Sequence, residues 1–388
     1  MDAVAKIEPR SSNPIELLPV AAYVRKVKPL LPPGAFAPAR SRALWVPVHY
    51  AIIASLIWAL ASGHVPWPAW PLISIVIGGC MAGVTFVAHE ALHGGVVRGR
   101  VMIRLIGWLG FLPFFISPQL WMAWHNRVHH NHCGQPGVDP DMYPTLRQYN
   151  AQLHSRIMAD HFGLGRGRIS GFASLLFGLT GQSLEVLFTV PRTRLLTRRL
   201  YRRAFAESIA GVAVWTTVAV LVGFPAFVFV YVIPLIVANA VVMSFIVTNH
   251  NLSPLSPVND PLVNSLSVTL PRVLEWLTLD FGFHVEHHLF PTMSARHGRE
   301  VRQALRTQFP ERYQSLPLTT AIHRLHNTAR VYRDDTTLID PRTGRTWSTL
   351  LPRLRPGDAA PMAAVATTVD TAVATSDARI GAAVTAAT

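Results

Sequence analysis

Between Ala43 and His89 the chain carries no Asp, Glu, Lys or Arg, and between Ser208 and Asn259 it again carries none. Each uncharged run is long enough for a helical hairpin that crosses a bilayer twice, at ~20 residues per crossing. Each also breaks once, at residues that turn a chain: Ser62-Gly63-His64-Val65-Pro66-Trp67-Pro68 in the first, Gly223-Phe224-Pro225 in the second. The expected spans are 44–61 with 69–88, and 206–222 with 226–248. Composition agrees: only 14% of the 388 residues are charged and half are hydrophobic, against ~25% charged in a soluble domain. Trp45, Trp67 and Trp70 fall near span ends or turns, where an interfacial belt puts them.

The net charge of +14 comes in blocks between these runs, which argues against a nucleic-acid-binding surface and sets an orientation. Arg25, Lys26, Lys28, Arg40 and Arg42 precede the first span, and Arg98, Arg100 and Arg104 follow the second. Arg192, Arg194, Arg198, Arg199, Arg202 and Arg203 precede the third, Arg296, Arg299 and Arg302 follow the fourth, and the two turns carry no cation. The positive-inside rule puts both termini and the central loop in the cytoplasm, in keeping with a bacterial cell membrane. Two further apolar stretches, 101–121 and 170–190, are interrupted by Gly, Pro and polar residues and read as interfacial or re-entrant. The first twenty residues mix acids with prolines and show no apolar run after a basic start, so no cleaved signal is expected. The expected fold is an all-α integral membrane protein of four transmembrane helices in two hairpins under a cytoplasmic helical cap. Its parts are a Pro-rich, extended and partly disordered segment 1–42, a membrane domain 43–310, a cytoplasmic extension 311–358, and an Ala/Val/Thr tail 359–388 expected to be disordered.

Of seventeen histidines, eight fall in three tight clusters: His89 and His93 in HEALH, His125, His129 and His130 in HNRVHH, and His284, His287 and His288 in HVEHH. Helical residues four apart share a face. His89 can thus join His93 on one ion, as can His125 with His129 and His284 with His288, while His130 and His287 turn toward a neighbouring ion. One tetrahedral ion needs four ligands, so eight imidazoles imply two metals. All three clusters lie on the face that the cations mark as cytoplasmic. His250, just beyond the fourth span, lies there too and is a ninth candidate. His49, His64, His132, His154, His161, His297, His323 and His326 read as ordinary core or surface residues. Imidazole suits Fe, Cu, Ni and Zn alike, so ligand type alone leaves the metal open.

HEALHGG, HNRVHH followed by Asp139-Pro140-Asp141, and HVEHHLFPTM resemble the three histidine boxes of the membrane fatty acid desaturase family, over roughly residues 70 to 310. The resemblance implies two non-haem irons held by His89, His93, His125, His129, His130, His284, His287 and His288, with His250 as the additional histidine before the third box. It further implies O2 as co-substrate and desaturation of a lipid-linked or CoA-linked acyl chain, with acyl-lipid favoured. Hydroxylases, epoxidases and carotenoid-type ketolases of the same superfamily would share the iron and the topology. Metal-ligating histidines need outer partners to fix their tautomers, and Glu90, Asp139, Asp141, Glu286 and Asp280 are near enough in sequence to serve. Asn249 and Asn251 could hold a metal-bound water. A histidine-rich metal transporter would instead need ligands at mid-membrane, where these spans carry almost nothing ionisable. Two cysteines, Cys80 and Cys133, cannot hold an iron–sulfur cluster, and neither a haem motif nor a dinucleotide fingerprint is present. The electrons are therefore expected from a separate ferredoxin-like or cytochrome-b5-like protein, docking on the basic segments 192–203 and 296–306.

Overall fold

The computed structural model describes residues 15–193 and 195–351; the tail 359–388 and Arg194 lie outside the described residues. The first helix among the described residues is α1 (Val20–Val27), where the sequence suggested extended chain. Its reason is amphipathic: Tyr23 and Val27 are buried in the cap while Lys26 and Lys28 face out. Next come α2 (Trp45–Ala61) and α3 (Trp70–Leu92), the first expected hairpin, turning at Gly63 with φ +73°.

Helix α4 (Arg100–Phe111) and a run from Pro118 to His132 bend by 98° at their break, and the second arm returns the chain to the end of α3. Then follow α5 (Ala173–Thr193), α6 (Arg198–Val222) and α7 (Ile233–His250). α6 starts eight residues before the expected span because Arg198, Arg199, Arg202 and Arg203 are good helix formers that prolong it. Gly223, with φ +79°, ends it.

Among the described residues five helical stretches, not four, are long and apolar enough to cross a membrane: Arg40–Ala61, Trp67–Leu92, Ile169–Pro191, Arg198–Val222 and Phe224–His250; the bent pair Arg100–Phe114 and Pro118–His132 passes the same test taken together. The addition is Ile169–Pro191, read from sequence as interfacial; its mean hydropathy of 1.3 is the lowest of the five. Two of the five are inner helices. The Trp67–Leu92 stretch is 67% buried and the Phe224–His250 stretch 44%, against 17–28% for the others. Small residues bring the backbones together. A Cβ on Gly78 would lie 2.7 Å from the Pro234 carbonyl oxygen of α7, and one on Gly110 would lie 2.3 Å from that of Val84.

Beyond α7 the chain builds a cap from the strand β1 (Ser267–Thr269), the short α8 (Arg272–Leu277), α9 (His284–Leu289) and α10 (Gly298–Gln308). The strand β2 (Ser315–Pro317) pairs in parallel with β1. α11 (Leu318–His326) and a three-stranded antiparallel meander, β3 (Val331–Asp334), β4 (Thr337–Ile339) and β5 (Thr346–Ser348), complete it. Residues beyond 310 are thus woven into the cap, which also has strands the sequence reading did not foresee. Asp260, fully buried, ties the start of the chain to it by accepting from Tyr23 Oη, the Leu18 amide and Arg312.

Candidate metal centre

α3 brings in His89 and His93 at its C-terminal end, α7 ends on His250, and α9 carries His284, His287 and His288 on a single six-residue helix. The middle cluster comes from a π-helical run, Met122–His129. All nine imidazoles converge in two sets. In the first, His125 Nε2 lies 3.2 Å from both His89 Nε2 and His130 Nε2, and His130 Nε2 lies 3.2 Å from His287 Nε2. The His93 ring lies 4.6 Å from those of His130 and His287, so it joins this set. In the second, His288 Nε2 lies 3.3 Å from His129 Nε2 and 3.0 Å from His284 Nε2, and His284 Nε2 lies 2.7 Å from His250 Nε2.

The pairing within the middle cluster differs from the sequence expectation. An α-helix would have aligned His125 with His129; here His130 joins His125, and His129 faces the other set. The reason is the π-turn. Its i→i+5 bonding widens the turn by one residue, so the residue five positions on stands above His125. The three residues between His125 and His129 are absorbed in this way.

These contacts suit metal ions and little else. A neutral imidazole whose Nδ1 carries the proton presents an acceptor lone pair at Nε2, and facing lone pairs repel unless a cation lies between them. With metal–nitrogen bonds of ~2.1 Å, ligands at right angles have nitrogens about 3.0 Å apart and tetrahedral ones about 3.4 Å. Five of the six separations, at 3.0–3.3 Å, match such ligand edges, and His250 to His284 at 2.7 Å is shorter. His93 Nε2 is buried with no hydrogen-bond partner, an orphan that a metal would satisfy. Burial pushes the His93, His284 and His288 imidazoles well below the ordinary histidine range, and burial together with His129 pushes His287 down to about 3. They are therefore neutral and free to ligate at pH 7.

His129 behaves differently. Burial lowers its affinity for a proton, but the carboxylates of Asp139 and Asp141 outweigh that and raise it to about 9. Its Nδ1–H donates to Asp139 Oδ1 at 2.7 Å, with Asp141 Oδ2 at 3.5 Å. That bond orients the ring, and a metal bound at Nε2 would displace the proton that the two carboxylates otherwise keep there at pH 7. Asp139 is held in turn by the amides of Gly134 and Asp141, and Asp141 accepts from Gln182 of α5.

The other carboxylates singled out in the sequence bond elsewhere. Glu90 and Asp280 both pair with Arg42 at 2.6 Å. Glu286 accepts from Ser267, Arg302 and Tyr313. Asn249 is buried with neither side-chain atom bonded, and Asn251 bonds the Tyr143 amide and the Asp141 carbonyl. Sequence reasoning missed three neighbours. Trp121 stacks on His125 at 4.2 Å, Phe281 meets His89 edge-on, and buried Cys133 lies 3.6 Å from His250 Nδ1. Trp121, four residues before His125, and Cys133, four after His129, left a signal in the spacing; Phe281 did not.

A crevice of about 20 Å³ reaches this centre between Phe86, His89 and Glu90 of α3 and the segment from Leu279 to His287. That is room for about one water, so the crevice is narrow where it meets the histidines. It runs between α3 and the cap.

The profile of the fatty acid desaturase family matches residues 66–319. The chain is 24% identical over 302 residues to the sn-1 oleoyl-lipid 12-desaturase of Arthrospira platensis, covering 74% of this chain and 82% of that protein. It is 23% identical over 334 residues to the endoplasmic-reticulum omega-6 fatty acid desaturase of Brassica juncea, covering 75% and 82%. A shorter match, 31% over 101 residues, covers 26% of this chain and 28% of the dihydrorhizobitoxine desaturase of Bradyrhizobium elkanii.

Proposed function

This chain belongs to the fatty acid desaturase family, and on that premise we propose that it is an O2-dependent desaturase of lipid-linked acyl chains with two irons. The observation that carries the reading is the convergence of nine imidazoles, six buried and three half-buried, in two sets, five donors in one and four in the other. Bound there, the irons would activate O2 and take two hydrogens from adjacent methylenes. The overall change is –CH2–CH2– plus O2, two electrons and two protons to –CH=CH– plus two waters. The chain's own residues hold and shield. His89, His93, His125, His130 and His287 would bind one ion; His129, His250, His284 and His288 would bind the other. Asp139 orients His129, and Trp121, Phe86 and Phe281 wall the site from water. Two relatives matched over most of their length are named as an sn-1 oleoyl-lipid 12-desaturase and an omega-6 fatty acid desaturase, and the first name favours a lipid carrier.

Electrons would come from a separate ferredoxin-like or cytochrome-b5-like carrier. Reconstituted protein given a reductase and such a carrier should produce a new double bond by mass spectrometry, and should be inactive with NAD(P)H alone. A hydroxylated product would move the enzyme to an oxygen-inserting branch of the superfamily, and turnover without a carrier would reveal an internal redox path.

The histidines also bear on topology. A crossing helix delivers its end to the opposite face of the membrane. α3 ends at His89 and α7 at His250, and both enter one cluster, so an even number of crossings must separate them. α6 and α7 make two; a crossing α5 would make three. The chain just before α5 lies on the histidine side as well: Tyr143 donates through its hydroxyl to the Leu164 carbonyl and through its amide to Asn251. These contacts support four crossings, with α5 held against α7 through Thr180 and Asn239 without completing a crossing of its own. In intact cells, a thiol reagent confined to the outside should label Ser62→Cys and not Ser155→Cys, the native Cys80 and Cys133 being buried. Labelling of both from the same side would refute four crossings.

A further inference from the structure

The short helix α8 exposes Val273, Leu274, Trp276 and Leu277, the first and third by 68% and 61%. Its Trp276 packs edge-on against Trp45, the first residue of the spanning helix α2, with ring centroids 4.9 Å apart. An apolar helix on a cap, tied by tryptophan to the base of a span, belongs at the level of the lipid head groups. Its one acid, Glu275, points away from that apolar side and pairs with Arg299 of α10. Behind it opens a cleft of about 330 Å³ lined by Glu275, Phe283, Arg299, Arg302 and Arg306.

Three arginines at i, i+3 and i+7 on α10 therefore face one concavity at head-group height. Arg302 lies against it, its guanidinium 4.1 Å from the Phe283 ring centroid. Its Nε is bonded to Glu286 and Tyr313, while its Nη2 has no acceptor. Arg306 spends one nitrogen on Ser315 and stays exposed. Phe283 is the shared wall: it also lines the crevice that reaches His89, His284 and His287.

We propose that the α10 cleft binds the phosphate ester of the acyl carrier, so that a chain attached to it is delivered past Phe283 toward the histidines. The inference rests on the desaturase reading and narrows its substrate to phosphate-bearing carriers. Arginine forks match phosphate oxygens in pairs, and the cleft is concave and next to the centre, whereas a docking protein needs a broad flat surface. A glycerophospholipid and an acyl-CoA share this chemistry, and the depth of α8 in the interface favours the phospholipid.

The test is binding to the full chain in phosphate-free detergent. Dihexanoyl-phosphatidylglycerol is compared with dihexanoylglycerol, and octanoyl-CoA with octanoyl-pantetheine. The phospholipid should bind about tenfold more tightly than its neutral partner, the worth of one good charge-assisted contact. Arg299→Gln with Arg306→Gln should cut that preference below about threefold, Arg306→Lys should retain part of it, and iron content should not change. A guanidinium-dependent preference seen only in the CoA pair would support the phosphate assignment with the thioester as its source. Equal binding of phosphorylated and neutral carriers would overturn the site while leaving desaturation standing. Phosphate preference without any new unsaturation would overturn desaturation and leave the site standing. Loss of turnover in the double variant only through the electron carrier, with lipid preference intact, would make the cleft a protein-docking surface and overturn the proposal.

Discussion

Alanine at His287 should abolish turnover and reduce the iron of the purified protein from about two per chain to about one, with membrane insertion unchanged. His287 lies in the first set, against His130, and none of its close contacts supplies the second ion. His129→Ala should do the converse, emptying the second set formed with His250, His284 and His288. The two variants are thus expected to retain different irons, a distinction that a single mixed cluster would not produce. Asp139→Asn supplies the gradation. It keeps every ligand but removes the carboxylate that holds His129, and losing such an outer partner costs about 10–100-fold in metal affinity or activity. Both alanine variants should therefore fall further than Asp139→Asn. Metal analysis of each protein, with activity measured on the same preparation, decides it. An active preparation holding one tight zinc and no iron would defeat the di-iron assignment.

The parts legible from sequence are those that repeat or run long. Charge-free runs broken by Gly and Pro located the helices α2, α3, α6 and α7, because burying charge in hydrocarbon is costly enough to leave a mark residue by residue. The histidine clusters were legible because each short segment supplies two or three ligands, which must lie within about a turn of one another to reach the same place. The π-turn at Met122–His129 was not, since no residue type announces i→i+5 bonding. So the sequence paired His125 with His129, one position short. Glu90 and Glu286 were misread as partners for histidine for another reason. Their real partners, Arg42, Ser267, Arg302 and Tyr313, are brought in by tertiary folding, and proximity in sequence gave the histidines false precedence. α5 looked ambiguous because a helix lying in an interface and one crossing it differ little in composition.

Arg42 is the residue whose loss should most weaken the fold around the centre. It sits at the foot of α2 with its side chain only 10% exposed, and donates to Glu90, to Asp280 and, at 2.8 Å, to the Leu279 carbonyl. Leu279 and Asp280 have φ of +53° and +62°, a left-handed pair without glycine, and such residues cost ~1–3 kcal/mol each unless their surroundings enforce them. Arg42 grips both, so one planar guanidinium offsets two carboxylates and pins a strained turn. Arg42→Met would leave Glu90 and Asp280 as largely buried, unpaired charges, a loss of about 3–5 kcal/mol. Thermal unfolding of the detergent-solubilised protein, followed by tryptophan fluorescence, should shift down by several degrees. Arg42→Lys should recover little, because an ammonium lacks the fork that serves three acceptors at once. Adding Glu90→Gln and Asp280→Asn to Arg42→Met should restore most of the loss, since neutral amides remove the uncompensated charge. The same turn borders the crevice at His89, His284 and His287, so Arg42→Met should also release iron faster to a chelator than the triple variant does. Unfolding of Arg42→Met within about one degree of the parent would show that water screens these charges as well as the arginine does, and that the turn holds without it.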